Sequence, residues 1–572
     1  MLTIMIPSLT ACSGTGIGGK TPGTQTVPSA PIISSYDTDD LTGSEEDTIR
    51  TVISLEGDSA AVDGNGVSVR GTVVTITSAG TYSIQGVLND GQVIVNTKDS
   101  GTVKLILDGA KITSSSGAPL YVANADKAVI TLADGSQNTL TDGVIYTYPE
   151  ENNKPDAAVF SHGDLTFNGN GALTVIANFK DGIASKKDLK IVSGTITVSA
   201  AKDGFKGKDS VSIKDGFITI NAGADGIQST NADKVGKGYI LIEDGMINIT
   251  SGLDAIQAET NLQVHAGKLT ITSGGGESSA GKPGSSAKGL KAGLDLVIKG
   301  GTFDIRSADD SIHANNSVTV DEGIIQMASR KNGIHADEIL TINGGEINLT
   351  QSYEGLESAM IIVNGGNIHM KTSDDGINAS GGGDSASTSA GRDHIYINGG
   401  YLFIDASGDG IDSNGTFEMT AGVMLINGPT DNRNGPLDYD ETFTIRGGFL
   451  VAVGSSGMAK PPSDTSAQFS VLYNFDAMQA PGMLLHIQSQ RGQDILTYMP
   501  AKGYQSVAIS SPALQNGETY LVYTGGAATG TVKDGLYTGG VYTPGVQVAT
   551  FTISSMITLI DAAGSKNGTP PP

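Results

Sequence analysis

The stretch Asp181-Gly182-Ile183-Ala184-Ser185-Lys186-Lys187-Asp188-Leu189-Lys190-Ile191-Val192-Ser193-Gly194-Thr195-Ile196-Thr197-Val198-Ser199-Ala200-Ala201-Lys202 decides the fold, because Asp203-Gly204-Phe205 begins it again. Its opening phrase is an acid, a small residue and a large apolar residue. The phrase returns at Asp225-Gly226-Ile227, Asp254-Ala255-Ile256, Asp310-Ser311-Ile312, Asp375-Gly376-Ile377 and Asp409-Gly410-Ile411. Lys288-Gly289-Leu290, Asn332-Gly333-Ile334 and Glu354-Gly355-Leu356 fill the gaps with a changed first residue. The steps between first residues are 22, 22, 29, 34, 22, 22, 22, 21 and 34. A step near 22 with occasional insertions marks a repeat solenoid. A second glycine stays 13 residues behind the phrase at Gly194, Gly216, Gly267, Gly323, Gly345 and Gly422.

Between these anchors the apolar residues alternate: Leu189 and Ile191, Ile196 and Val198, Ile218 and Ile220, Ile247 and Ile249. A period of two predicts short strands with one buried face. Three such strands in each unit predict an all-β chain wound as a right-handed parallel β-helix. Equivalent residues of successive turns then lie about 4.8 Å apart and form ladders. Ile183, Phe205, Ile227, Ile256, Leu290, Ile312, Ile334, Leu356, Ile377 and Ile411 are expected to form one such ladder inside the core.

The composition agrees. Gly is 79 of 572 residues, Trp is absent and aromatics are 5%, which suits β-strands joined by many tight corners. The formal charge is −25, which repels nucleic acid and anionic membranes and suits a protein that binds cations. Cys12, the single cysteine, excludes an intrachain disulfide. Its setting, Leu9-Thr10-Ala11-Cys12, is similar to the lipobox of bacterial lipoproteins. Met1 to Pro7 is apolar but short for a signal core, so either the true start lies upstream or the match is chance. No later stretch is long and apolar enough to span a membrane.

The domain reading is a signal remnant over 1–12, a flexible linker over 13–44, the β-helix over 45–435, a C-terminal β cap over 436–560 and a disordered tail over 561–572. The cap is expected on the open end of the helix, where it hides edge strands. The longer steps predict loops near 231–238, 274–286 and 380–392, on the flank where solenoids place binding.

The acids supply the functional lead. Asp181, Asp203, Asp225 and Asp254 fall at one stacked position, and carboxylates roughly 5 Å apart repel by about 1 kcal/mol in water and more in a lower dielectric. Ca²⁺, which takes six to eight oxygens in flexible geometry, would offset this. Asp309 with Asp310, Glu354 with Glu357, Asp374 with Asp375, and Asp409 with Asp412 are the densest candidate ligands. The alternative is a stacked turn cap, in which each Asp accepts backbone N–H groups without metal. The glycine breaks strand parity, so the pattern leaves open whether the acids face inward. A second ladder three residues on carries Lys206, Lys291, His313, His335, Glu357, Asn378 and Asp412 and is expected to face water. With Lys288 and Lys331 its cations form a basic strip suited to an anionic glycan, while a long polar ladder suits a neutral glycan equally well; the competing reading is that the cations only offset the acids.

Several motifs carry a resemblance: Asp63-Gly64-Asn65-Gly66-Val67, Gly80-Thr81-Tyr82-Ser83-Ile84, Leu107-Asp108-Gly109, Ala118-Pro119-Leu120-Tyr121-Val122 and Thr139-Leu140-Thr141-Asp142-Gly143, followed by the Asp-Gly-Ile repeats. In this order they resemble the clostridial cell-surface carbohydrate-binding β-helix family over roughly residues 45 to 430. The resemblance implies a pectate-lyase-like helix that carries Ca²⁺ and binds cellulose and acidic plant polysaccharide such as polygalacturonate. The expected protein is therefore a monomeric, extracytoplasmic, cell-surface polysaccharide binder, with no nucleic-acid partner and with a lipid anchor at Cys12 as its membrane contact. The alternatives are a polysaccharide lyase, for which Lys288, Lys291 and Lys331 are the available bases, and a surface adhesin.

Overall fold

A computed structural model of the chain describes residues 32, 35–43, 51–148, 154–281, 284–380, 393–561 and, for the backbone alone, 564–566. Cys12, the loop at 381–392 and most of the tail lie outside the described residues. From Ser34 onward the chain clusters as one unit.

Among the described residues that unit is all-β apart from the four-residue helix Thr38–Leu41. Two antiparallel hairpins, within Thr51–Asp63 and Val67–Ile76, open it. Thereafter parallel pairing takes over. Asp181–Ser185 pairs with Phe205–Gly207, Asp188–Ile191 with Ser210–Ile213, and Thr195–Ala200 with Phe217–Ala222. Pairing with the strand three places on continues through the regular repeats and drops to two places where Ile334–Ile342 and Leu356–Val363 each run as one continuous strand. It makes a long parallel sheet system consistent with a β-helix. The core ladder is in register: Ile183 faces Phe205, Phe205 faces Ile227, and the sequence continues to Ile377 facing Ile411. All ten of its members are at most 1% exposed.

Two glycine ladders shape the corners for different reasons. Gly194 and Gly216 have φ of +113° and +131°, a left-handed conformation that favours glycine. The glycine of the opening phrase does not adopt positive φ. It is small because a Cβ on Gly204 would lie 2.3 Å from Ile220 Cγ2 and 2.5 Å from the Gly226 carbonyl oxygen. The corner reading thus belongs to the second glycine, and close approach explains the first.

The stack runs past residue 435. Thr442–Ile445 and Phe449–Gly454 still pair in parallel with the preceding repeat. Tyr504–Ser510 then pairs antiparallel on Phe449–Gly454 and ends the parallel order. The remaining C-terminal strands do not simply plug the end. They pack on the outward face of the third strands, where Tyr401, Phe403, Val423, Leu425, Phe449 and Val451 join a second apolar cluster with Leu485, Tyr498 and Tyr520. At the other end, residues 35–43, inside the span expected to be a flexible linker, dock on the second strands. Asp40 is fully buried there, with Lys127 at 2.7 Å, Lys190 at 2.9 Å and Thr166 Oγ1 at 2.6 Å.

Phe205 has no exposed surface and neighbours in both adjacent repeats. Phe205→Ala is expected to lower unfolding stability in urea by about 3–5 kcal/mol, as large-to-small core changes do.

Candidate functional site

Each acid of the phrase sits at a corner just before a first strand, and its side chain turns inward. Asp181, Asp203, Asp225, Asp254 and Asp310 are 1–6% exposed. One carboxylate oxygen of each accepts the backbone N–H of the equivalent residue in the next repeat. Asp203 N donates to Asp181 at 3.3 Å, Asp225 N to Asp203 at 3.2 Å and Asp254 N to Asp225 at 3.1 Å. Asn332 N donates to Asp310 at 3.1 Å, Asp409 N to Asp375 at 2.6 Å and Gly435 N to Asp409 at 2.6 Å. The acids cap, but they cap across repeats rather than within their own turn.

The second oxygen is supplied from the half-exposed outward ladder. Lys206 Nζ lies 2.6 Å from Asp203 and 3.7 Å from Asp181. Gln228 donates to Asp225 at 2.6 Å, and Lys291 reaches Asp254 at 3.0 Å. Burial pushes the Asp225 carboxyl up to about 7, with Asp254 and Asp203 adding repulsion. Burial likewise pushes Asp181 to about 6, against the pull of Lys206.

Lys288 departs from the outward strip expected of it. It takes the acid's place in register, is 8% exposed, and bonds Asp310, with Asp309 at 3.3 Å. Burial alone would lower its pKa, but Asp310 and Asp309 raise it. Burial would raise Asp310, yet His313 and Lys288 hold it well below the usual carboxylate range. Lys331 is exposed and pairs with Asp309 at 2.9 Å. His313 lies 3.0 Å from Asp310, while His335 lies 2.9 Å from Glu357 and 3.1 Å from Asp337. Against its burial, Asp337 and Glu357 lift His335 to about 10. These nitrogens are spent on protein partners, which leaves Asp310, His313 and His335 poorly fitted to a metal.

Beyond His335 the chemistry changes. Ligand atoms of Asp375, Asp409 and Asp412 lie within 4.8 Å of one another, with no lysine or arginine bonded to any of them among the described residues. Gly408 leaves a cradle beside them: a Cβ there would lie 2.4 Å from one oxygen of Asp374 and 2.4 Å from one of Asp375. Glu354 Oε2 is buried and has no hydrogen-bond partner, while its Oε1 accepts from Asn378 at 3.1 Å. Burial pushes Asp375 up to about 7, with Asp374, Asp412 and Glu354 adding to it. Burial does the same to Asp409, and it carries Asp412 to about 6 with help from Asp438 and Asp440. An orphaned oxygen, an open cradle and converging carboxylates fit a hard divalent cation.

Sequence reading missed Asp438. Gly435-Pro436-Leu437 occupies the place of the phrase, since Gly410 N donates to the Gly435 carbonyl at 3.2 Å and Leu437 is fully buried. Asp438 therefore follows Asp412 on the outward ladder, and Lys460 holds it at 2.5 Å. The signal was the large apolar Leu437 one step after Ile411, hidden by the loss of both acid and glycine.

The structure is thus an all-β protein with a parallel stack and one outward polar ladder that ends in an acid cluster. A family model described as carbohydrate-binding domain-containing protein matches residues 70–333 and 327–471. The chain belongs to that family. A carbohydrate-binding domain-containing protein of Acetivibrio thermocellus is 42% identical over 154 residues, covering 27% of this chain and 54% of the relative. The chain thus spans about half the length of that relative. Among solved structures, the polysaccharide lyase-like protein from C. thermocellum, in a gadolinium derivative, shares 31% identity. The match covers 51% of this chain and 97% of that one, with a TM-score of 0.37.

Two outcomes follow for the buried charges. Asp375 and Asp409 bind protons more tightly folded than unfolded, where the ordinary carboxyl value is 3.8. Their stabilising contribution is full below about pH 4 and is lost as pH rises through about 7. In chelator, thermal unfolding should show this decline, and Asp375→Asn with Asp409→Asn should flatten it. Lys288→Ala leaves buried Asp310 with His313 as its remaining cationic partner and should destabilise the fold in denaturant unfolding by about 3 kcal/mol, the lower end for breaking a buried pair.

Proposed function

We propose that the protein binds polysaccharide along the outward first-strand ladder and that Ca²⁺ at the Glu354–Asp412 end strengthens that binding. The observation that carries the binding reading is the family match over residues 70–333 and 327–471. Support for calcium comes from the Gly408 cradle and the orphaned Glu354 Oε2. Asp374, Asp375, Asp409 and Asp412 would hold the ion, with Glu354 beside them, and the ion would offer open coordination positions to carboxylate or hydroxyl oxygens of a glycan. The lower acids, Asp181 to Asp310, are caps and ion-pair partners in this reading.

The scaffold is a right-handed coil with three strands and about 22 residues per turn, the hand that parallel crossovers favour. Uronans and cellulose are the glycans proposed. Monomeric display outside the cytoplasm through a lipid on Cys12 rests on the sequence around that cysteine. A lyase would need a base that gives up its proton near neutral pH. Lys288 is held charged by Asp310 and Asp309, Lys291 is engaged by Asp254, and Lys331 by Asp309. Binding without catalysis is therefore preferred.

Retention on polygalacturonate and on cellulose, measured with Ca²⁺ and with chelator, tests this. Chelator, or Asp375→Asn with Asp409→Asn, should weaken retention on polygalacturonate at least about tenfold, a coupling of about 1.4 kcal/mol. Retention that is equal in both buffers would remove calcium from the function, and ultraviolet-absorbing unsaturated product would restore the lyase.

A further inference from the structure

Three lysines at the other end of the first-strand sheet make no ion pair among the described residues, and a fourth, Lys186, has only a distant carboxylate. Lys180 and Lys202 precede the phrase in consecutive repeats. The Lys202 amide donates to the Lys180 carbonyl at 2.9 Å, so both leave one corner, stacked. Lys186 and Lys208 follow the same two strands at their far ends, immediately after the register partners Ser185 and Gly207. The result is two short rails of positive charge on either side of two adjacent strands.

Lys180, Lys202 and Lys208 have no carboxylate within ion-pair distance among the described residues, and Lys186 has Asp156 at 3.9 Å. Lys206, Lys288, Lys291 and Lys331 each hold a carboxylate at 3.3 Å or closer. Asp181 and Asp203 are buried beneath Lys206, so their charge is withdrawn from the surface. Lys180 lies 4.9 Å from the centre of the Phe179 ring, and Lys186 lies 5.2 Å from that of Phe160, contacts that hold both ammonium groups by their aromatic faces. Between the rails the outward position is Ala184, which is 3% exposed and packed with Ala157 and Phe160, and Lys206 holds that position one repeat later.

Stacked ammonium groups repel. On a chain of net charge −25 they add nothing to solubility. Both facts favour an anionic ligand, and the rails run along the direction in which repeats stack, so that ligand is a polymer with acid groups on both sides. We infer that Lys180, Lys202, Lys186 and Lys208 form a metal-independent site for a carboxylated glycan segment, which spans the two strands with its carboxylates turned to the two rails. The inference rests on the polysaccharide-binding reading and adds a second mode of contact to it. One end of the ladder takes carboxylates directly on lysine, and the other takes glycan oxygens through a cation.

The test is retention of the full chain on polygalacturonate in excess chelator, with and without Lys180→Gln, Lys202→Gln and Lys208→Gln together. None of the three makes an ion pair among the described residues, and Lys180 has only the Phe179 ring beside it, so the triple variant should unfold much as the wild type does. The wild type should keep a chelator-resistant fraction that rising salt removes, and the variant should lose about tenfold of it, as expected when charge-assisted contacts go. Retention on uncharged cellulose should not change. Wild type and variant bound equally in chelator, or a wild type with no chelator-resistant binding, would overturn the lysine site while leaving calcium-dependent binding in place. Absence of binding in calcium as well would overturn the polysaccharide reading itself. Stronger retention on phosphatidylserine vesicles than on polygalacturonate, lost in the variant, would reassign the rails to a membrane surface.

Discussion

A carboxylate that accepts a backbone N–H from the next repeat is the interaction on which the rest of the first-strand edge depends. It places a charge where water hardly reaches, at Asp181, Asp203, Asp225, Asp254 and Asp310. A buried carboxylate with one oxygen satisfied still carries a full charge, and the second oxygen must be paired or the group must hold its proton. The outward ladder meets that demand in two ways. Lysine or histidine does so at Lys206, Lys291 and His313, and an amide does so at Gln228; past His335 the Asn378 amide serves Glu354, and no lysine or histidine pairs with Asp375 or Asp409 among the described residues. The acid cluster at Asp375, Asp409 and Asp412 is therefore a consequence of the capping geometry continued without its cations.

The remaining faces of the stack are spent on structure. Asp37, Asp39 and Asp40 clamp the N-terminal segment to Lys104, Lys127 and Lys190 on the second strands. The C-terminal strands cover the third strands and reach back to the neighbouring repeat, where His369 and Tyr401 each meet Asp534 at 2.8 Å. The first strands carry a different outward row, which passes from Tyr121 and Phe160 through Ala184 and Lys206 to His335, Glu357 and Asp412. The row grades from aromatic to basic to acidic over one continuous sheet.

Much of the stack was legible because burial imposes a period. Ile196 and Val198 alternate with polar neighbours, and the repeated phrase sets the register that places Ile183 on Phe205. The position of the C-terminal strands was less legible, although Tyr401, Phe403, Phe449 and Val451 make their strands apolar on both faces, which signals a second covered side. Lys288 was misplaced because a cation reads as an outward group. It is buried instead because Asp309 and Asp310 of the next repeat wait at the position that an acid would otherwise fill.

The sequence by itself determined the parallel stack, its core ladder and the positions where acids recur, since these follow from alternation and spacing along one strand. Tertiary structure decided the direction and state of each acid. The small residue after it breaks the alternation, and the partners that fix its charge, a backbone N–H, a lysine or another carboxylate, come from the repeats above and below rather than from its own. The repeated phrase names the carboxylates; only the stacking shows that those from Asp181 to Asp310 are caps already satisfied, while Asp375, Asp409 and Asp412 converge and Glu354 keeps an unpartnered oxygen.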